Sequence, residues 1–125
     1  MTEENSISTF RELDGHKVNG ANDRITIRVL DEPGPGNACH EYRAEGPGWR
    51  QSISFQNGPI KAGINGTTHE VLLTILIDRL EGFQSGDYAC EENATALGGL
   101  GWAVHLLKSR TEKRLARGVE GTHER

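Results

Sequence analysis

Apolar residues change their spacing once along this chain, near Gly66. Before that point they alternate. Ile25, Ile27 and Val29 alternate with Thr26 and Arg28, which predicts a strand over Arg24–Leu30. His40, Tyr42 and Ala44 share one face of a second strand over 40–45. Trp49, Gln51, Ile53 and Phe55 share one face of a third, with Arg50, Ser52 and Ser54 on the other. Ile60 to Ile64 reads as a short fourth strand closed by Asn65-Gly66. Pro33-Gly34-Pro35-Gly36, Gly46-Pro47-Gly48 and Gly58-Pro59 punctuate these runs as turns. Short strands with tight turns predict an antiparallel meander. Residues 1–22 are polar and glycine-interrupted, and read as an arm with room for one short element.

Beyond Gly66 the period becomes helical. Thr67 stands three residues before Glu70, the spacing of a capping box. Val71, Leu72, Ile75, Leu76 and Leu80 follow as one apolar stripe, with Leu73 and Ile77 as a second. A helix apolar on two sides needs two partners, the sheet and another helix or subunit. Gln84-Ser85-Gly86-Asp87 ends it. A longer helix starts between Tyr88 and Glu91 and runs to about Arg117, with Ala94, Leu97, Leu100, Val104 and Leu107 as its buried line. Gly118 suits a helix terminator. The expected fold is α+β: an N-terminal antiparallel sheet (1–66), two long helices (67–117) and a tail (118–125), in one domain of 125 residues.

Composition narrows the function classes. Only 34% of the residues are hydrophobic and 16 are glycine, so a small core assisted by an oligomer interface is expected. A net charge of -4 argues against binding duplex nucleic acid, which favours basic proteins. The charge is uneven: Lys108, Arg110, Lys113, Arg114 and Arg117 face Glu112 alone in that stretch. A local cationic patch on an acidic protein suits a small anionic ligand. Cys39 and Cys90 have no metal spacing and read as reduced thiols. No run is long and apolar enough to span a membrane, and 1–12 carries no signal-like segment, so a soluble, intracellular protein is expected.

The candidate chemistry gathers in the last third. Phe83 is a core aromatic at a helix end or a platform for a base. Asn93 is a surface or capping residue, or an amide that reads a base edge or ribose hydroxyl. Arg110, Arg114 and Arg117, four and three apart, share one helix face. They are a solvated charge run, or a stripe suited to bidentate phosphate binding. Arg28 projects from the polar side of the first strand as a further cation. Gly121, Thr122 and His123 belong to a frayed terminus or to a second anion site. Gly98-Gly99-Leu100-Gly101 lacks the strand and Lys-Ser pair of a phosphate loop, and its small residues read as allowing helices to approach closely. The five histidines show no paired metal spacing, and no serine or cysteine has the local context of a nucleophile. No catalytic group, metal or cofactor is expected.

Three segments carry a family resemblance. They are Phe55-Gln56-Asn57-Gly58-Pro59-Ile60-Lys61 with Gly63-Ile64-Asn65-Gly66-Thr67-Thr68; Asp78-Arg79-Leu80 with Phe83-Gln84-Ser85-Gly86 and Glu92-Asn93-Ala94; and Arg110-Thr111 through Arg114 and Arg117 to Gly118-Val119-Glu120-Gly121-Thr122-His123. Together they resemble the Thoeris anti-defence sponge family, first type, closely from Phe55 onward and loosely before it. The glycines at 98, 99 and 101 depart from the family pattern, where stronger helix formers are expected.

The resemblance implies a phage protein acting in the host bacterial cytoplasm. It implies capture, without degradation, of cyclic ADP-ribose isomers such as glycocyclic ADP-ribose made by TIR-domain enzymes. It implies homodimers, or hexamers of three dimers, and in some members cyclic trinucleotides of CBASS held at separate sites. By position it assigns Phe83 to base stacking, Asn93 to the helix amide and Arg110 to phosphate, with Arg28 and Arg114 beside them. Arg117, Gly121, Thr122 and His123 fall to the second site. Two alternatives remain at this point: a small cyclic-nucleotide hydrolase, and a protein-interaction module using the arginine face.

Overall fold

The computed structural model describes residues 9–118. The chain divides into two compact units, Met1–Asn57 with Ile64–Gly66, and Gly58–Gly63 with Thr67–Arg125. The first is a four-stranded antiparallel meander: β1 (Arg11–Leu13), β2 (Thr26–Val29), β3 (Glu41–Gly46) and β4 (Trp49–Ser54), in that order. A one-turn helix, α1 (Gly20–Asp23), separates β1 from β2. The α+β class and the meander are as the alternation predicts.

Register explains why one face is polar. Ile27 pairs with Leu13 and Ala44, and Val29 pairs with Arg11 and Tyr42, while Ile53 stands opposite Tyr42. On the other side, Glu12, Arg28, Arg43 and Ser52 form one row across all four strands. The apolar core of the described residues is small, with Val29 and Cys39 its buried hydrophobic members. Tyr42 meets Phe55 edge to face at 5.6 Å. Cys39 and Cys90 are both free thiols.

Two polar staples hold the loops of this unit. Asp31 accepts hydrogen bonds from the backbone amides of His40 (2.9 Å) and Glu41 (3.1 Å), closing the β2–β3 loop. Asn65 binds both sides of Asn57: its Oδ1 accepts from Asn57 N at 2.8 Å, and its Nδ2 donates to Asn57 O at 2.6 Å. Gln56 Oε1 accepts from Asn65 N at 3.0 Å. Gly66 then lies against the backbone of Phe55, so closely that a Cβ would fall 2.4 Å from its carbonyl carbon. The family-like segment 55–66 is thus a stapled loop in which Asn65 and Gly66 have physical reasons to be those residues.

The fourth strand expected over Ile60–Ile64 does not form. Ile60–Ala62 is a 3-10 turn, with Ala62 N donating to Pro59 O and Gly63 N to Ile60 O. Pro59 sets φ at −68° and Gly63 leaves at φ +124°. The chain satisfies its own backbone groups locally, and β1, from the polar arm, takes the fourth place in the sheet.

The second unit carries an antiparallel hairpin of α2 (His69–Gln84) and α3 (Glu91–Arg117). Thr68, one residue after the expected cap, accepts from Val71 N. Glu70 does not complete a capping box; its carboxylate accepts from Thr111 Oγ1 at 2.8 Å and ties the start of α2 to the last turns of α3. Most of the less exposed positions are spaced by three and four: Glu70, Leu73, Ile77, Leu80, Gln84 on α2, and Asn93, Leu97, Leu100, Val104, Leu107, Thr111, Arg114 on α3, with Leu72, Ala103 and Ser109 beside this line. This is the spacing of a coiled-coil seam. Ala94, expected on the buried line, is exposed, and Asn93 holds the seam position instead. Val71, Ile75 and Leu76 remain exposed.

At the hairpin turn, Gln84 brackets Cys90, accepting from its N–H (2.9 Å) and donating to its carbonyl (3.0 Å). Gly118 ends α3 in the left-handed region at φ +74°. Gly98, Gly99 and Gly101 lie on the exposed side of α3, and a Cβ at any of them would meet nothing within 4 Å. In this chain they do not serve the helix approach expected of them, because Leu97 and Leu100 occupy the seam.

Candidate functional site

The helical hairpin positions the candidate residues at its two ends. Phe83 lies in the last turn of α2, the second residue from its end. The Arg79 guanidinium, one turn earlier, sits 5.0 Å from the ring centroid. Tyr88, from the turn, stands nearly perpendicular to the ring with centroids 6.2 Å apart. Phe83 is partly exposed and Tyr88 is 77% exposed, so neither is a core aromatic. The pair makes a right-angled aromatic corner. One face of the Phe83 ring carries the Arg79 cation, a cation–π contact that holds the ring in place. Asn93 follows in the first turn of α3, half-buried.

The arginines stand at the other end. Arg110 and Arg117 are exposed, whereas Arg114 is only 7% exposed. Burial of Arg114 gives it a structural part that the shared stripe did not reveal, since spacing shows which residues share a face and not what lies against them. Asn93 and Arg110 are 17 positions apart on one continuous helix, about 25 Å along its axis at 1.5 Å per residue. Phe83 is 13 positions beyond Glu70, which meets Thr111, so it lies about 20 Å along the hairpin from the arginine end. A single chain therefore puts Phe83 and Asn93 toward one end of the hairpin and Arg110 toward the other. Gly121, Thr122 and His123 lie outside the described residues.

Arg28, in the sheet unit, is held by carboxylates. Its Nε donates to Glu45 Oε1 (2.5 Å), and its Nη1 lies 3.3 Å from Glu12 Oε2. The hydrogen bond from Arg28 to Glu45 raises its pKa above the ordinary arginine value, against the opposing effect of burial, and the charges of Glu45 and Glu12 add to the rise. In this arrangement Arg28 is a cation already compensated. Directly across on β3 is Arg43, whose Nε is buried with no hydrogen-bond partner among the described residues. Sequence reasoning missed Arg43 because it reads as one more polar-face residue. It missed Tyr88 because a turn carries no periodicity. Arg79 was legible in principle, four residues before Phe83.

Among the described residues, no group of three His, Cys, Asp or Glu side chains is placed to hold a metal, and no helix is long and apolar enough to cross a membrane. What the hairpin ends offer is recognition chemistry: a stacking corner, an amide and exposed guanidinium groups.

No protein-family model matches the chain. A curated relative from Bacillus phage SBSphiJ7, named Thoeris anti-defense 1, is 44% identical over 75 residues. That similarity supports the Thoeris anti-defence family. The match covers 59% of this chain and 53% of the relative, so the chain corresponds to about half the length of that Thoeris protein. The resemblance seen in the sequence motifs and the measured identity thus point to the same group of phage proteins.

Proposed function

We propose that this chain is a phage anti-defence protein that captures cyclic ADP-ribose isomers in the infected bacterial cytoplasm and withholds them from their effector without cleaving them. The pocket in this reading is shared: Phe83 and Asn93 come from one copy and Arg110 from a second. The observation that carries it is the separation of the two half-sites at opposite ends of one hairpin, about 25 Å apart along α3. A twofold pair that sets one hairpin end against the other completes two equivalent pockets, because residue i meets j and j meets i. The base would stack in the Phe83–Tyr88 corner, Asn93 would read a hydroxyl or base edge, and Arg110 would hold a phosphate.

The name of the Bacillus phage relative supports an anti-defence role. Capture of cyclic trinucleotides by Arg117 with Gly121, Thr122 and His123 forms a separate part of the same proposal, as does assembly beyond the dimer.

Mixing two inactive variants tests the shared pocket. In calorimetry with cyclic ADP-ribose isomers, Phe83→Ala and Arg110→Ala are each expected to lose binding. Mixed and re-equilibrated, they should regain about a quarter of the wild-type sites, since half of random pairs carry one intact pocket out of two. Loss in both variants without recovery would end the shared-pocket reading. Wild-type protein that binds no isomer would end the sponge reading. Ligand released by heat should have unchanged mass; a linear product would identify a hydrolase instead.

A further inference from the structure

The turn between α2 and α3 holds a side-chain clasp. Gln84, half-buried at the end of α2, reaches six positions along the chain to Cys90. Its Oε1 accepts from Cys90 N at 2.9 Å, and its Nε2 donates to Cys90 O at 3.0 Å. Both partners belong to one residue, so donor and acceptor of the amide are used together. Cys90 is the N-cap of α3, and its own side chain makes no capping hydrogen bond. The backbone bonds within the turn are longer: Gly86 N to Phe83 O is 3.2 Å and Ala89 N to Gly86 O is 3.3 Å, at the weak end for N–H···O. The Ser85 hydroxyl turns back to Gly82 O at 2.8 Å and stays on the α2 side. The clasp is thus a firm link between the end of α2 and the start of α3.

The residues of one half-pocket depend on that link. Phe83 directly precedes Gln84, Tyr88 stands two residues before Cys90, and Asn93 stands three after it, in the first turn of α3. Phe83 is steadied from within α2, where Arg79 lies against its ring. Tyr88 is 77% exposed and meets Phe83 edge to face. An exposed ring on a turn keeps a fixed angle to its neighbour only where the backbone beneath it is fixed. We infer that Gln84 is the positioning residue of the Phe83 half-pocket: clasped on the backbone of Cys90, its amide sets the Phe83–Tyr88 corner and the place of Asn93 before a ligand arrives. In this role Gln84 touches no ligand. A corner formed in advance spares the ligand the cost of ordering it. Without the clasp the turn samples other arrangements, and apparent affinity falls with the competent fraction. The effect on affinity rests on the capture reading above; the effect on ring geometry does not.

The test uses the full chain. Ring-to-ring nuclear Overhauser contacts of Phe83 and Tyr88 are read without ligand, and affinity for cyclic ADP-ribose isomers is read by calorimetry. Gln84→Ala should keep its helix content by circular dichroism, lose the ring contacts and bind about tenfold more weakly, as for a competent fraction of about one in ten. Gln84→Glu carries a sharper signature. Its ionised carboxylate accepts from Cys90 N but has nothing to donate to Cys90 O, whereas the protonated acid does both. Compared with wild type at the same pH, its ring contacts and affinity should be lost at neutral pH and return as pH falls through the ordinary glutamic acid range, about 4.3. A clasp that served stability alone would lower the melting temperature and leave ring contacts and affinity of the folded chain as in wild type, which would overturn the inference. Lost affinity with intact ring contacts would mean that Gln84 touches the ligand itself, and would overturn it equally. Wild-type protein that binds no isomer ends the capture reading, and the ring contacts then decide the positioning role alone. Where Gln84→Ala fails to fold, the pH series of Gln84→Glu decides: ring contacts that stay the same across it overturn the inference.

Discussion

Replacing the three glycines in the middle of α3 by alanine should stabilise this protein. Gly98, Gly99 and Gly101 lie inside a continuous helix, each with open space where a Cβ would go. Glycine in a helix interior costs about 0.8–1 kcal/mol relative to alanine, because the unfolded chain loses more conformational freedom. With no side-chain partner at any of the three, the per-residue costs sum to about 2.5–3 kcal/mol. For a chain of this size, at about 4 °C per kcal/mol, the melting temperature should rise by about 10 °C. Circular dichroism melts and urea titrations measure this, repeated over a range of protein concentrations because assembly shifts apparent stability. Gly118→Ala is the control of opposite sign: its φ of +74° penalises a Cβ, and that variant should lose about 1 kcal/mol. A fall in stability of the triple variant, or a gain that disappears as concentration rises, would refute the reasoning. It would show that these positions face another chain rather than solvent.

Three further outcomes follow from the staples. Asn65→Ala removes two hydrogen bonds to Asn57 and the acceptor geometry of the 57–65 loop; a loss of about 1 kcal/mol is expected in urea unfolding, since the residue is exposed. Burial alone would raise the Asp31 pKa, but the amides of Glu41 and His40 and the nearby His40 ring outweigh it and hold the carboxyl below its ordinary range. A depressed folded value means this stabilisation is full above the unfolded pKa near 3.9 and is lost as pH falls through the folded value. Asp31→Asn should therefore be less stable than wild type at neutral pH, and the difference should shrink in acid titrations below about pH 4. Thr111→Val leaves the Glu70 carboxylate without its donor across the α2–α3 seam; a loss of about 1–2 kcal/mol is expected, with hydrogen exchange rising first at the start of α2.

Much of the candidate site was legible as residue types and little of it as geometry. Phe83 and Asn93 were named from chemistry that fits a nucleotide, and the hairpin turn does bring them to one end. Arg110 was grouped with them, yet the continuity of α3 sets it about 25 Å from Asn93. Arg114 shares the stripe of Arg110 but is buried. Arg28 was counted as an open cation, whereas Glu45 and Glu12, 17 and 16 positions away, compensate it. None of these partners is near its arginine in sequence, so no local pattern could reveal them.

The sequence by itself determined the order and type of the main elements. A period of two with turn residues between runs makes a meander, and a period of 3.6 that starts within a residue of Thr67 and ends at Gly118 makes helices, because backbone hydrogen bonding and side-chain direction are local properties. Tertiary structure decided what those faces meet. It placed β1 rather than Ile60–Ile64 in the sheet, since a strand exists only where a neighbour accepts its backbone groups. It put Asn93 rather than Ala94 on the helix seam, because the three-and-four spacing of one helix matters only against the facing helix. It also left Arg43 Nε without a partner among the described residues while its neighbour took two, which is a fact of register across strands. Periodicity shows which side chains lie together on one element; charge compensation, burial and convergence on a ligand depend on the elements that approach it in space.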